Sequence, residues 1–167
     1  MIPRIELMAE KKLAGKHLRM SLVNNTTGLL WQSFMQRRRE ILHVIGSDRY
    51  SLQLYGPSYF ENFNPANEFE KWAAVEVSSF DDLPEGFEAF TLPPGMYAVF
   101  NHIGGPASGP QTFQYIFAQW LPSSGYTLDN RPHFELLGAK YDNNDPNSEE
   151  EIWIPVKEKN RNADRAD

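Results

Sequence analysis

The sequence contains no cysteine, which excludes a disulfide framework and a thiolate-bound zinc. No apolar stretch approaches the roughly 20 residues a helix needs to cross a bilayer. The opening MIPRIELMAEKKL lacks the apolar run of a secretory signal. A cytoplasmic protein with no membrane partner is therefore expected. Basic charge is scarce: 16 Lys and Arg against 22 Asp and Glu give a formal net charge of −6. The one basic cluster, Arg37-Arg38-Arg39, is followed at once by Glu40 and reads as a solvated helix face. Binding phosphate backbones requires clustered cations, so direct nucleic-acid binding is not expected. Histidines at 17, 43, 102 and 133 show no i, i+4 metal spacing. HIGGPASGP lacks the Lys-Ser/Thr pair of a phosphate-binding loop, and no serine sits in a nucleophile elbow. Neither metal nor cofactor is expected.

Aromatic residues are abundant: 4 Trp, 7 Tyr and 11 Phe, enough to argue for a packed globule. With 167 residues the chain suits one domain that buries about two-thirds of its unfolded surface. That domain is expected over residues 1–158. The closing EKNRNADRAD has no apolar periodicity, so 159–167 is expected to be a disordered tail.

Within the domain the sequence rhymes with itself. KKLAGKHLRMSL (11–22) precedes a helical stretch, TGLLWQSFMQRRREIL, and two strands, YSLQLYG (50–56) and FEKWAAVEVS (69–78). FTLPPGMYAVFNH (90–102) precedes GPQTFQYIFAQWL and the strands PHFELLG (132–138) and EEIWIPVKE (150–158). Gly15 and Gly95 lie 80 residues apart, Gly56 and Gly138 lie 82 apart, and Trp72 and Trp153 lie 81 apart. A tandem duplication of a βαββ unit follows, with pseudo-repeats about 1–80 and 88–158 joined by SFDDLPEGFEA. The class is α+β. In the second helix Phe113, Ile116, Phe117 and Trp120 form one i, i+3, i+4, i+7 stripe. Pro110 suits the first turn, with Ser108 or Gly109 as cap. Leu30, Phe34, Ile41 and Leu42 form a looser stripe in the first helix.

The strands alternate with period two. Leu52 and Leu54 oppose Gln53 and Tyr55, and Ile152, Ile154 and Val156 oppose Glu151, Trp153 and Pro155. If the aliphatic faces pack on the helices, the opposite face collects Gln53, Tyr55, Trp72, Glu135 and Trp153. The 82-residue offset equates Glu135 with Gln53, so one duplicated position is a carboxylate in one half and an amide in the other. A carboxylate flanked by indoles can receive a cation, with cation–π contact worth about 2 kcal/mol when desolvated. The plainer alternative, Glu135 as the wet half of an alternating strand, stays open at this point.

PPGMYAVFNHIGGP, the helix ending AQWLPSSGY, the strand RPHFELLG and the closing SEEEIWIPVK, in that order, resemble the GyrI-like small-molecule-binding family. This is also the effector-binding domain of AraC-type and some MerR-type transcription regulators. The resemblance implies a curved, mainly antiparallel sheet with two main helices on one side and a ligand cleft between the pseudo-symmetric halves. It implies that Glu135 binds lipophilic aromatic cations, with Trp153 as an aromatic wall and Glu151 as a peripheral acid. Tyr55, Trp72, Phe117 and Trp120 follow from strand face and pseudo-symmetry, with core packing favoured for Phe117. The first strand begins within a dozen residues of Met1, which points to a stand-alone module whose DNA-reading role would need a separate regulator. Two other readings follow from the resemblance: a hydrolase of strained-ring or electrophilic molecules using Glu135, and a protein-binding inhibitor of the gyrase-inhibitor kind. His133 beside Glu135 reads as polar exposure at a strand edge, and DNNDPNSEEE as a solvated loop. A homodimer through an exposed edge strand is compatible with the pattern.

Overall fold

The computed structural model describes residues 1–159, so all of the expected tail but Lys159 lies outside the described residues. Nine strands among them are β1 (Arg4–Met8), β2 (Lys11–Ser21), β3 (Val44–Leu54), β4 (Glu68–Val77), β5 (Glu88–Leu92), β6 (Gly95–Ile103), β7 (Tyr126–Leu128), β8 (His133–Leu137) and β9 (Glu149–Glu158). Every pairing is antiparallel. The sheet order is β1-β6-β9-β8-β3-β4-β2-β5, with β7 added on β9.

That order reads the same from either end once each strand is replaced by its duplicate: β1 for β5, β2 for β6, β3 for β8, β4 for β9. The expected duplication is thus a pseudo-two-fold whose axis passes between β3 and β8. Each repeat carries a short leading strand beyond the βαββ plan. These leaders are exchanged: β1 pairs with β6 of the second repeat, and β5 with β2 of the first.

The first helix, α1 (Thr27–Arg37), buries Leu30 and Phe34 at i, i+4 spacing. It was expected to run on to Leu42. Instead a 3-10 turn, Arg38–Glu40, turns the chain so that Ile41 is buried and Leu42 is exposed. Arg37 pairs with Glu40 at 2.7 Å on the surface, as a solvated helix face requires. The second helix starts as α2 (Gly109–Tyr115), widens into a π-helical stretch (Ile116–Trp120) and ends in one turn, Leu121–Ser123. The apolar stripe lands where the period places it. Ile116 is fully buried, and Phe113, Phe117 and Trp120 pack around it on Ala98, Phe100, Ile152 and Ile154.

Three apolar clusters hold the fold. One lies between α1 and the first half of the sheet and one between the second helix and the other half. The third fills the face that carries no helix, with Leu13, Leu52, Trp72, Leu92, Tyr97, Phe134 and Trp153 buried against one another. The sheet curls until its own side chains cover that face.

This corrects the expected assignment of faces. On β9 the aliphatic residues do meet the helix. On β3 and β8 the parity is reversed: Leu52, Leu54, Phe134 and Leu136 line the helix-free side with both tryptophans. Gln53, Tyr55 and Glu135 therefore lie on the helix side, together with Ser51 and His133. The reason is geometric. The two helices each cover one half and leave a gap over the central pair β3–β8, so polar residues are tolerated there. The curled side has no such gap and needs apolar filling.

Two landmark glycines are close-approach positions. A Cβ on Gly15 would strike the Ala73 carbonyl and Ala74 of β4, and a Cβ on Gly95 would strike the Arg131 guanidinium. Gly15→Ala is expected to lower stability by about 1–3 kcal/mol through overpacking. Gly28→Ala, in open space on α1, is expected to be neutral or stabilising by up to about 1 kcal/mol. Urea unfolding midpoints of the two variants test the contrast, which equal midpoints would refute.

Candidate ligand-binding site

In the central pair Leu52 faces its copy Phe134 directly, so on the helix side of these strands each duplicated position lies diagonally across from its copy. Ser51 pairs with Glu135 and Gln53 with His133 across β3–β8. The Gln53 amide donates to a Glu135 carboxylate oxygen at 2.9 Å. Gln53 is buried and Glu135 half-buried. The next strands outward place Lys71 beside Gln53 and Ile152 beside Glu135.

The start of β8 is fixed by Arg131. Its guanidinium lies 4.7 Å over the Tyr97 ring, its Nε pairs with Asp129 at 2.7 Å, and its Nη2 donates to the carbonyls of Met96 and Val156. The Tyr97 hydroxyl donates to the Pro132 carbonyl at 2.8 Å. These bonds hold the strand that carries His133 and Glu135 in one register.

Above Glu135 is a narrow crevice bordered by Gln53, Tyr55, Phe113, Phe117, His133 and Ile152. Its free volume is about 10 Å³, room for little more than one water. Beyond Tyr55 and His133 opens a second hollow of about 280 Å³, walled by Phe60, Glu61 and Arg131 among others. That volume approaches the lower end of small-molecule sites. Aromatic rings separate the two spaces. Phe60, from the loop after β3, stacks on Phe117 at 5.2 Å and on His133 at 5.4 Å, while Tyr55 meets the His133 ring edge-on at 4.9 Å.

Charges in this region are perturbed. Burial, assisted by the Arg131 guanidinium, pulls the His133 imidazole down to about 3, so it is neutral at pH 7. Its expected exposure at a strand edge is not found, because Phe60 and Tyr55 cover it. Burial, with Glu135 adding to it and Lys71 opposing, pushes Glu150 up to about 7. Lys71 is pulled below its ordinary value by burial, while Glu135 and Glu150 work to keep it charged. Among the described residues no group of three or more His, Cys, Asp or Glu is arranged to hold a metal.

The whole domain matches the family described as GyrI-like small molecule binding domain, over residues 1–157. The chain belongs to this family. The GyrI-like chain is 30% identical over 138 residues to the transcriptional regulator BrlR of Pseudomonas aeruginosa, and the match takes in 81% of this chain but 48% of BrlR. It thus spans about half the length of that curated relative. In fold it is similar to SAV2435, solved bound to tetraphenylphosphonium, with a TM-score of 0.74 at 20% identity, covering 94% of each chain. It is also similar to EcmrR in a complex with DNA, with a TM-score of 0.69 at 16% identity, covering 93% of this chain and 57% of that one. These two likenesses are of fold. No described helix is long and apolar enough to cross a membrane.

Within this GyrI-like fold the residues singled out from sequence divide into two groups. Glu135, Tyr55 and Phe117 come together at the crevice. Phe117 serves both as core, as expected, and as wall. Trp120 packs on Phe100 and Tyr126 in the second-half core and does not border the crevice. Trp72, Trp153 and Glu151 do not flank Glu135. The Trp72 ring stacks on His17 at 4.5 Å and the Trp153 ring on Phe134 at 5.1 Å, both within the helix-free cluster. Each indole donates to the glutamate two residues before it, Glu70 and Glu151. Glu151 also binds Arg4 at 2.7 Å. Trp153 also borders the crevice, although its ring belongs to the helix-free cluster.

Sequence reasoning missed Lys71, Glu150 and Phe60. The acidic run read as solvated loop enters β9 at Glu149, and Glu150 shares the inward parity of Ile152 and Ile154. Lys71 likewise shares the parity of Phe69, Ala73 and Val75. Alternation alone could have found both. Phe60 sits in a loop, where no period applies.

His133 and Glu150 make opposite contributions to stability. His133 ordinarily titrates near 6.5 and here near 3, so its contribution is lost as pH falls below about 6.5, where the unfolded chain takes up the proton first. Glu150 is raised from 4.5 to about 7, so stability is lost as pH rises through that window. Relative to the unaltered protein, His133→Gln should lose less stability on acidification from 6.5 to 4.5, and Glu150→Gln less on going from 4.5 to 7. Urea midpoints at these pH values check both, and two variants that run parallel to the parent protein would refute the assignment.

Proposed function

We propose that this GyrI-like domain binds lipophilic aromatic cations at its pseudo-two-fold axis, with Glu135 supplying the charge and Tyr55, Phe60 and Phe117 the aromatic walls. Its physiological sense is the sensing or sequestration of such compounds. The observation that carries the reading is the setting of Glu135: a half-buried carboxylate with one side-chain hydrogen bond among the described residues, from the neutral amide of Gln53, beneath aromatic rings. A carboxylate drawn out of water is unfavourable unless a positive charge or further donors meet it. A cation supplies the missing charge, and aromatic faces add about 0.5–2 kcal/mol each for a ring-facing cation. Flat rings restrict shape weakly, so charge and apolar area would govern selection. The tetraphenylphosphonium bound to the similarly folded SAV2435 belongs to this chemical class, and the likeness to BrlR suits a part in regulation.

The crevice as it stands is too small for such a ligand. Entry would require Phe60 to leave its stack, which joins the crevice to the neighbouring hollow. Aromatic pairs of this kind are worth about 0.5–1.5 kcal/mol beyond their burial, a cost that burial of a three-ring ligand can exceed. The Phe60 loop and the π-helical stretch bearing Phe117 are the elements on either side of that opening, and π turns often mark functional sites.

Methyltriphenylphosphonium and the near-isosteric, neutral triphenylphosphine oxide form a suitable probe pair. Titrated against the intrinsic tryptophan fluorescence, the cation should bind at least ten-fold more tightly, about 1.4 kcal/mol. Glu135→Gln should abolish that preference while the circular dichroism spectrum stays the same. Equal binding of the two probes, or an undiminished preference in the variant, would overturn the reading.

A further inference from the structure

His133 is 6% exposed, yet no hydrogen bond among the described residues engages its ring. The histidine side chains that do bond there are His17 and His102. His102 shows the ordinary arrangement for a buried imidazole, with one nitrogen against Thr112 and the other against Ser108. Gln53, the partner of His133 in register, gives its amide to Glu135 instead. The neighbours of the His133 ring are other rings, those of Tyr55, Phe60 and Phe117. One donor and one acceptor are thus left unused in a place where polar groups are ordinarily paired.

Those nitrogens are not sealed in. Among the described residues the enclosed side-chain nitrogen or oxygen that lacks a partner is Nη1 of Arg131, so the unpartnered nitrogens of His133 reach free space. The larger space that His133 borders is the hollow of about 280 Å³, and the walls of that hollow limit what it can take. Tyr55, Pro57, Phe60 and Leu128 present apolar surface, and about 150 Å³ is enough for one benzene ring. A cation beside His133 is disfavoured by the Arg131 guanidinium, which also opposes protonation of the imidazole. An anion finds no free donor in that guanidinium: Nε and Nη2 bind Asp129 and two backbone carbonyls, and Nη1 is enclosed. It would also meet the carboxylates of Glu61 and Asp129. A neutral ring with a polar substituent fits these limits. A hydroxyl suits the imidazole in either tautomer, because it can donate to the bare nitrogen or accept from the N–H.

We propose that the hollow is a second binding site, for a small neutral phenol whose hydroxyl pairs with His133 and whose ring lies against Tyr55 and Phe60. This goes beyond cation binding at Glu135, which does not border the hollow, and it stands or falls without it.

4-Fluorophenol and 4-fluorotoluene differ in little but the hydroxyl, and fluorine NMR reads the binding of each near pH 7, where the phenol and His133 are both neutral. The phenol should bind at least about five-fold more tightly, as one added hydrogen bond provides. His133→Phe should reduce that preference to less than about two-fold, since no hydrogen bond then remains to distinguish the probes. Should His133→Phe fail to fold, His133→Met removes the same bond. Amide spectra locate the phenol: shifts at Gly56 and Asn130, which border the hollow but not the crevice, should exceed those at Phe113 and Ile152, which border the crevice but not the hollow. Four results would each overturn the proposal: no saturable phenol binding at millimolar concentration, equal binding of the two probes, a preference that survives in a folded His133→Phe or His133→Met, or shifts centred on the crevice.

Discussion

The antiparallel pairing of β3 with β8 is the constraint on which the rest depends. Because those strands are duplicates of one another, the pseudo-two-fold axis passes through the Leu52–Phe134 pair and sets each inward position on the diagonal from its own copy, within side-chain reach. Gln53 and Glu135, 82 residues apart, meet in a hydrogen bond for this reason. Two glutamates in that place would repel at close range in a poorly solvated gap, and two glutamines would offer no charge. One of each gives a single carboxylate held by a neutral donor. A homodimer of half-length chains, identical by construction, could not have made that choice. Fusion of the two copies into one chain released the pair from symmetry, and Lys71 opposite Ile152 departs from symmetry in the same neighbourhood.

The helices matter chiefly through what they leave uncovered. Each buries an aliphatic stripe of its own half, and the gap between them is bridged by side chains instead of by backbone. Phe60, Phe117, Tyr55 and His133 close it as a set of rings in mutual contact. The result is a floor bearing one carboxyl group beneath an aromatic cover, with Arg131 and Tyr97 holding the start of β8 in register.

Much of this plan was legible in the sequence because duplication leaves landmarks with physical causes. Gly15 and Gly95 recur because neighbouring atoms leave no space for a Cβ, and Trp72 and Trp153 because each fills the curled face with its indole bonded to the preceding glutamate. The equivalence of Glu135 with Gln53 could be read from their offset. What could not be read was which side of the sheet the helices occupy at the centre. Period two separates a strand into two sets without saying which set faces a helix, and here the more aliphatic set of β3 faces the curled side. The tryptophans were therefore grouped with Glu135 when they lie on the opposite face of the sheet. Lys71 and Glu150 were passed over because charged residues are ordinarily exposed, although their parity placed them inward. Phe60 depended on a loop path that no periodicity encodes.

The exchange of leading strands bears on how this molecule can deform. β1 is bonded to the second repeat and β5 to the first, so the repeats are clasped at both outer edges as well as joined at the axis. Swinging them apart like the valves of a shell would tear strand pairing at three places at once. The sheet is therefore the stiff frame of the molecule, and compliance is left to the loop and helix above it. A guest would be admitted through the roof, never by parting the walls.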